Sequence, residues 1–140
     1  MNSSDQAIRN LMSRYAELQD AGDFDGVGEL FAHGVFQRGD GRSFRGQEIA
    51  EHRKNVNILY DGQPGTKHVT TNITINIDEK HNAASADSYF AVFQGSSDLP
   101  LEPIVAGRYH DRFERTSGEW RFLFRRSFVD LVGRMESHRR

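Results

Sequence analysis

The segment with the clearest chemical potential is the strand-like stretch from Thr66 to Asp78. It is rich in Thr, Val and Ile, which is typical of a β-strand, and its side chains are expected to alternate between two faces. One row consists of Val69, Thr71, Ile73, Ile75 and Ile77. The other row is polar and consists of His68, Thr70, Asn72, Thr74 and Asn76. A titratable imidazole therefore opens the polar row, and an amide follows it four residues later.

His68 is the strongest candidate for chemistry in this row. An imidazole changes its charge near neutral pH, so a histidine at a pocket wall can act as a general base. The alternative is a histidine at a strand edge whose ring bonds only a backbone group. Asn72 is expected to hydrogen-bond a substrate oxygen or to hold the neighbours of His68. An ordinary polar residue on a half-exposed strand remains the alternative for Asn72.

The sequence predicts no metal and no cofactor. Metal-ligand spacing is absent from the remaining candidates, which are His33, His52, His81 and His138. No glycine-rich phosphate loop of the nucleotide-binding types is present. The chain contains no cysteine, so disulfides and thiolate chemistry are excluded.

Helical periodicity precedes the candidate strand. The spacing of apolar residues predicts a helix over residues 4–21 and a short second helix that is capped by Asp23. A hairpin is predicted over residues 35–44, and a third helix runs from Gly46 to about Tyr60. Strands are predicted over residues 66–78, 83–94, 101–115 and 120–129. Residues 131–140 are polar and are expected to be frayed.

This element order predicts an α+β fold. Helices come first and long antiparallel strands follow, so three N-terminal helices must cover one face of a curved, mostly antiparallel sheet. A sheet of this kind wraps into a cone-shaped barrel, and the cone encloses a cavity suited to a small hydrophobic molecule.

Length and charge limit the function classes. The 140 residues fit a single domain over residues 1–140, and the net charge of −2 argues against general nucleic-acid binding. No apolar run approaches the roughly 20 residues that a membrane helix needs, so no membrane partner is expected. The N-terminal residues lack the basic and apolar regions of a signal peptide, and a cytoplasmic location is the expectation.

Several short motifs, taken in order, resemble the nuclear transport factor 2-like superfamily and, within it, the SnoaL-like domain group. The resemblance covers about residues 5–130. The motifs lie at residues 15–20 with 23–25, 44–46, 67–72, 84–90, 107–111 and 118–122. The group includes two lyases, scytalone dehydratase and hexachlorocyclohexane dehydrochlorinase, and the same fold also hosts members without catalytic activity.

The resemblance implies roles for two residues. In the two lyases a histidine at the head of this strand is the general base, and an aspartate at the end of the first helix holds it. The matching positions are His68 and Asp20, which we expect to lie within hydrogen-bond reach. A solvated acid at the helix end remains the alternative for Asp20. His110 lies close to the position of a second histidine of the dehydratase, but strand alternation can turn it outward.

Strand parity and helix phase suggest which side chains line the cavity. The predicted lining and substrate-binding residues are Met12, Tyr15, Phe31, Asn72, Tyr89 and Phe93. Tyrosines on an apolar face are commonly core residues whose hydroxyl is satisfied, and that alternative stays open for Tyr15 and Tyr89. A structural ion pair is expected between Asp111 and Arg126 on adjacent strands.

Two classes of function remain open. The first is a cofactor-independent lyase or isomerase that takes a proton from carbon in a small hydrophobic molecule, with His68 as the base and Asp20 as its orienting partner. The second is a non-catalytic ligand-binding or dimerising module, or the structural small subunit of a ring-hydroxylating dioxygenase. A homodimer is expected in either class, because the aromatic and Arg-rich strands leave a half-polar face that a partner would cover.

Overall fold

The computed structural model describes residues 2–140. Three helices precede most of the sheet: α1 (Ser4–Ala21), α2 (Phe24–Leu30) and α3 (Gln47–Val56). A short hairpin of β1 (Val35–Arg38) and β2 (Ser43–Arg45) lies between α2 and α3, as predicted. Four long strands follow: β3 (Thr66–Asp78), β4 (Ala83–Gln94), β5 (Glu102–Thr116) and β6 (Glu119–Val132). A single 3₁₀ turn, Glu79–His81, separates β3 from β4.

The six strands form one sheet in the order β2-β1-β6-β5-β4-β3. All neighbouring strands are antiparallel except β1 and β6, which are parallel. The predicted α+β class is confirmed: three helices pack on a curved, mostly antiparallel sheet. No helix within residues 2–140 is long and apolar enough to cross a membrane.

Helix α1 begins and ends where its local sequence dictates. The Ser3 side chain accepts a hydrogen bond from the backbone N–H of Gln6, which satisfies one of the free donors of the first turn. Gly22 ends the helix in the left-handed conformation with φ 76°. A Cβ at this position would lie 2.5 Å from the carbonyl oxygen of Gly62, so the loop after α3 also requires glycine here. The end of α1 is thereby fixed against the loop that leads into β3.

The core lies between α1, α2 and the inner face of the sheet. Aromatic rings dominate it: Phe31 stacks on Phe122 with ring centroids 4.7 Å apart, and Phe113 lies 4.8 Å from Phe122 on the other side. All three side chains are buried. Helix α1 contributes a stripe at helical spacing that consists of Ile8, Met12, Tyr15, Leu18 and Gln19.

The predicted alternation of β3 is wrong in its first half. The pairing of β3 with β4 shifts between Thr71 and Thr74, and Asn72 adopts φ 54°, so a β-bulge interrupts the strand. Asparagine tolerates this left-handed backbone conformation better than most residues. The bulge reverses the parity of the strand, and the partly buried residues become His68 and Thr70 before it and Ile73, Ile75 and Ile77 after it. His68 therefore shares a face with the isoleucines instead of opposing them.

Helix α3 is shorter than predicted. It ends at Val56 because Asn57 takes an extended conformation, and the Asn57 side chain donates to the carbonyl of Arg53 at 2.9 Å. The backbone N–H of Ile58 then bonds the carbonyl of His138, and Tyr60 pairs with Gln63 in a turn. The residues after the helix are therefore engaged in tertiary contacts that local periodicity does not reveal.

The last eight residues are ordered, so the prediction of a frayed end is wrong for them. We call residues 133–140 the C-terminal strap. The carbonyl of Ser137 accepts from the Tyr60 hydroxyl at 2.6 Å and from the Gln94 side chain at 3.0 Å. The backbone N–H of Arg140 bonds the carbonyl of Val56 at 2.8 Å. Polar composition predicted fraying, but these hydrogen bonds hold the strap between α3 and β4.

A buried ion pair lies in the sheet, and it is not the predicted one. Asp111 is bonded by Arg125, with Nε and Nη2 at 2.8 and 2.9 Å from the two carboxylate oxygens. The β5–β6 register places Arg125 directly opposite Asp111, whereas Arg126 pairs with His110. Both side chains of the pair have no exposed surface. The guanidinium also lies 3.7 Å from the Tyr109 ring centroid, which suits a cation–π contact.

We predict that Asp111→Ala lowers the free energy of unfolding by about 3–5 kcal/mol, because Arg125 would remain as a buried charge without its counter-ion. Urea unfolding followed by circular dichroism measures this change. Asp130→Ala is the matched control, since Asp130 accepts a similar bidentate pair from Arg108 but is exposed. The control should change stability little. An equal loss in the two variants would contradict the prediction.

Candidate active site

The predicted contact between Asp20 and His68 is confirmed. The imidazole Nδ1 of His68 lies 2.6 Å from Oδ1 of Asp20. The Asp20 carboxylate accepts two further hydrogen bonds, from the His68 backbone N–H at 2.8 Å and from the Thr66 hydroxyl at 2.8 Å. Only 8% of the Asp20 side chain and 10% of the His68 side chain are exposed. The end of α1 and the head of β3 are thus joined through one carboxylate.

The charge state of Asp20 determines the tautomer of His68. Burial alone would raise the pKa of Asp20, but the hydrogen bonds from His68 and Thr66 and the nearby imidazole outweigh burial and lower it. An ionised carboxylate has only acceptor sites, so Nδ1 must carry the hydrogen of this bond. In the neutral ring, Nε2 then has a free lone pair and can accept a proton.

The bulge at Asn72 is what turns His68 toward the helices. Thr66 and His68 lie two residues apart on the inner side of β3, so both reach Asp20. Without the bulge, His68 would face away from Ile73 and the other residues that pack beneath α1. The same bulge leaves Asn72 exposed and outside the cavity.

The cone encloses a cavity of about 460 Å³, and His68 lies in its wall. This volume is in the range of small-molecule sites. The aromatic part of the wall consists of Tyr15, Phe36, Phe44, Phe90, Tyr109 and Phe128. The C-terminal strap supplies Met135, His138 and Arg139. The strap therefore forms part of the cavity wall.

The predicted lining is correct for Tyr15 and wrong for the other apolar residues. Phe31 is fully buried in the aromatic core, away from the cavity. Met12 is also buried, and it borders a separate groove between α1 and β3. The prediction placed the Tyr89 and Phe93 face of β4 toward the cavity, and this is wrong. The inner row of that strand consists of Ala84, Ala86, Ser88, Phe90, Val92 and Gln94. Tyr89 is 54% exposed on the outer row, and Phe93 borders another surface groove.

A polar cluster that was not predicted borders the cavity. Arg53 is buried, and its guanidinium donates to Gln19 Oε1 at 2.5 Å and to the Tyr15 hydroxyl at 3.0 Å. It also lies 4.7 Å from the Phe36 ring centroid. Arg53 follows Ile49 by four residues, so it lies on the buried side of α3; this spacing was the available signal.

Two histidines of the cavity wall are held neutral. Burial lowers the pKa of His138 to about 4, with further lowering by the charges of Arg139 and Arg53. Burial also lowers the pKa of His52 to about 4, assisted by Arg139 and Arg53. The Nδ1 atom of His138 is buried and has no hydrogen-bond partner within residues 2–140.

His110 does not belong to this site. Its imidazole bonds Asp87 and makes an edge contact with Phe128, and half of the side chain is exposed. Across the described part of the chain, no group of three His, Cys, Asp or Glu residues is arranged to hold a metal ion.

The model of the SnoaL-like domain matches residues 3–126. The chain belongs to the SnoaL-like domain family. The match ends before the C-terminal strap, so His138 and Arg139 lie outside the part of the chain shared with the family model. A comparison with curated proteins found no match.

Several solved structures share the fold of this chain. A single-residue variant of Rv3472, a protein of unknown function from Mycobacterium tuberculosis, is 25% identical with a TM-score of 0.73, and the match covers 91% of this chain and 72% of that one. A putative scytalone dehydratase from Novosphingobium aromaticivorans is 18% identical with a TM-score of 0.71, over 92% and 85%. The β subunit of a putative aromatic-ring-hydroxylating dioxygenase from the same organism is 19% identical with a TM-score of 0.71, over 95% and 94%.

We predict that His138 makes stability depend on pH between about 6.5 and 4. Its folded pKa is about 4, so over this range the unfolded chain binds the proton more readily and stability falls as the pH falls. The full shift corresponds to about 3 kcal/mol. Unfolding free energies of the wild type and His138→Gln should therefore converge as the pH is lowered. His33→Gln is the control, since His33 is exposed. A constant difference between wild type and His138→Gln would contradict the prediction.

Proposed function

We propose that this protein is a cofactor-independent acid/base enzyme of lyase or isomerase type that acts on a small hydrophobic molecule in the cone cavity. The observation that carries the proposal concerns His68. Its Nδ1 contacts the buried carboxylate of Asp20, and its side chain lines the cavity. Aspartate-oriented histidines of this type serve as proton acceptors in many enzymes.

In the proposed reaction, Nε2 of His68 takes a proton from a carbon next to an activating group such as a carbonyl. The electron pair of the broken C–H bond forms a double bond. In an elimination, a leaving group departs from the neighbouring carbon with its bonding pair. In an isomerisation, His68 returns the proton to a different carbon of the same molecule. Asp20 stabilises the imidazolium in both cases.

The surroundings of His68 support this role. The wall around His68 is largely aromatic, and the C-terminal strap adds Met135 to it, so the proton acceptor lies beside a surface on which a small hydrophobic ligand can pack. The SnoaL-like family and the fold shared with a putative scytalone dehydratase are consistent with a lyase.

A test of the proposal begins with a thermal-shift screen of small hydrophobic carbonyl compounds, because a ligand raises apparent stability by mass action. Bound ligands are then incubated in D₂O, and NMR follows exchange at carbon. His68→Ala should reduce exchange on the order of 10²- to 10⁴-fold with little loss of ligand binding. Asp20→Asn should fold and show a smaller loss, because the imidazole remains but its orientation is weakened.

His110→Ala is the matched control for this experiment. His110 also bonds an aspartate, Asp87, but does not line the cavity, so its loss should leave exchange unchanged. Full exchange in His68→Ala would refute the proposed mechanism. A substrate-independent check is the imidazole ¹⁵N spectrum, in which the wild type should show the Nδ1–H tautomer of His68.

A specific observation favours a second role as an assembling module. The outer row of the sheet exposes large apolar side chains, among them Tyr89 at 54% and Leu131 at 69%. The strand register aligns Leu131 with Ala106 and Ala91, so it lies in the same outward row as Tyr89. The shared fold with a dioxygenase β subunit is compatible with subunit contacts through such a face.

We therefore predict a homodimer that uses this outer row. Size-exclusion chromatography with light scattering should give twice the mass of the chain at micromolar concentration. Leu131→Asp should shift the population toward monomer, because the contact would bury an unpaired charge. Leu101→Asp is the control, since Leu101 is 75% exposed but lies outside the strands. A monomeric wild type would contradict the prediction.

A further inference from the structure

The cavity wall contains more arginines than aspartates. Four arginines line the cavity: Arg38, Arg53, Arg108 and Arg139. Only two aspartates do so, and each is already paired: Asp40 with Arg38 at 3.4 Å and Asp130 with Arg108 at 2.9 Å. No carboxylate within residues 2–140 lies at ion-pairing distance from Arg53 or Arg139. Arg53 and Arg139 therefore lack an ion-pair partner in the described residues, and only the more distant charge of Asp40 partly offsets that of Arg139.

Arg53 is held in place without being neutralised. Its two donors reach the side-chain oxygen of Gln19 and the hydroxyl of Tyr15, and both acceptors are neutral. Arg53 is only 9% exposed. A charge buried in this way is unfavourable unless a counter-ion is supplied, and an anionic ligand would supply it.

Arg139 lies near enough to Arg53 for the two charges to act on each other. Burial lowers the pKa of Arg139, and the charges of Arg38 and Arg53 lower it further. Its backbone is fixed by the bridge to Asn57, which also lines the cavity. The strap thus brings a second cation to the wall on which Arg53 lies.

An unpartnered polar atom in the same wall also indicates a ligand. Nδ1 of His138 is buried and has no partner in the described residues, and its side chain lines the cavity. A neutral His138 ring can donate a hydrogen bond to an anionic oxygen. Buried polar atoms of this kind normally find a partner.

We infer that Arg53 and Arg139 bind the carboxylate of a ligand whose flat aromatic body lies between the aromatic walls of the cavity. The planar guanidinium matches a carboxylate better than it matches a neutral carbonyl. The inference rests on the proposed function in assigning the cavity to a small molecule, and it narrows the substrate class to aromatic carboxylates. It requires no catalysis by His68.

The test compares 2-naphthoate with 2-naphthamide, which has nearly the same shape and no charge. Isothermal titration calorimetry at pH 7.5 should show naphthoate binding on the order of tenfold more tightly or better. Arg139→Gln should reduce this preference strongly. Arg134→Gln is the matched control, because Arg134 lies on the same strap and pairs with Glu102 but does not line the cavity. Arg53→Gln should also reduce the preference, with circular dichroism as the check on folding.

The outcomes separate this inference from the proposed reaction. His68→Ala should keep the preference for naphthoate over naphthamide, since Arg53 and Arg139 both remain. Equal affinity for the acid and the amide, equal effects of Arg139→Gln and Arg134→Gln, or no binding of either probe at millimolar concentration would overturn the inference. Inorganic phosphate that binds as tightly as naphthoate would also overturn it. Proton exchange on a neutral ligand would leave the proposed reaction standing while counting against the carboxylate assignment.

Discussion

The geometry of the candidate site depends on the Asp20 carboxylate. It accepts from the His68 ring, the His68 backbone and the Thr66 hydroxyl, and so it fixes the last turn of α1 to the first residues of β3. Burial opposes the negative charge, and the three hydrogen bonds outweigh that effect. A carboxylate one helical turn earlier would be displaced by about 5.4 Å along the helix axis from its place beside Thr66 and His68. Termination of α1 at Gly22 is therefore part of the site.

Local sequence patterns predicted the helices and strands, and the resemblance to the SnoaL-like group predicted the contact between Asp20 and His68. The bounds of α1, β3 and β4 follow from periodicity and turn residues, and the Asp20–His68 pairing followed from motif position alone. The bulge at Asn72 was not predicted, because a strict period of two contains no signal for an inserted residue. That error placed His68 opposite the isoleucines and made Asn72 a ligand contact. Asparagine within a β-branched run was the only available signal of the bulge.

Tertiary contacts account for the remaining errors. The sequence of the strap is polar, but its backbone bonds the segment after α3, which lies some eighty residues away along the chain. Local hydropathy cannot detect such a contact, and His138 was consequently assigned no role. The choice of Tyr89 and Phe93 had a different cause. The alternation of β4 was correct, and aromatic content favoured the wrong one of its two rows.

A comparison of the two buried arginines Arg53 and Arg125 shows how the presence of a counter-ion distinguishes a structural arginine from one that can bind a ligand. Arg125 has its carboxylate partner directly opposite on the neighbouring strand, has no exposed surface, and does not line the cavity. Its charge is balanced within the chain, so it needs no ligand. Arg53 has only neutral acceptors and does line the cavity. Because a folded chain tolerates a buried charge only where something balances it, the imbalance around Arg53 indicates where a molecule from outside completes the structure.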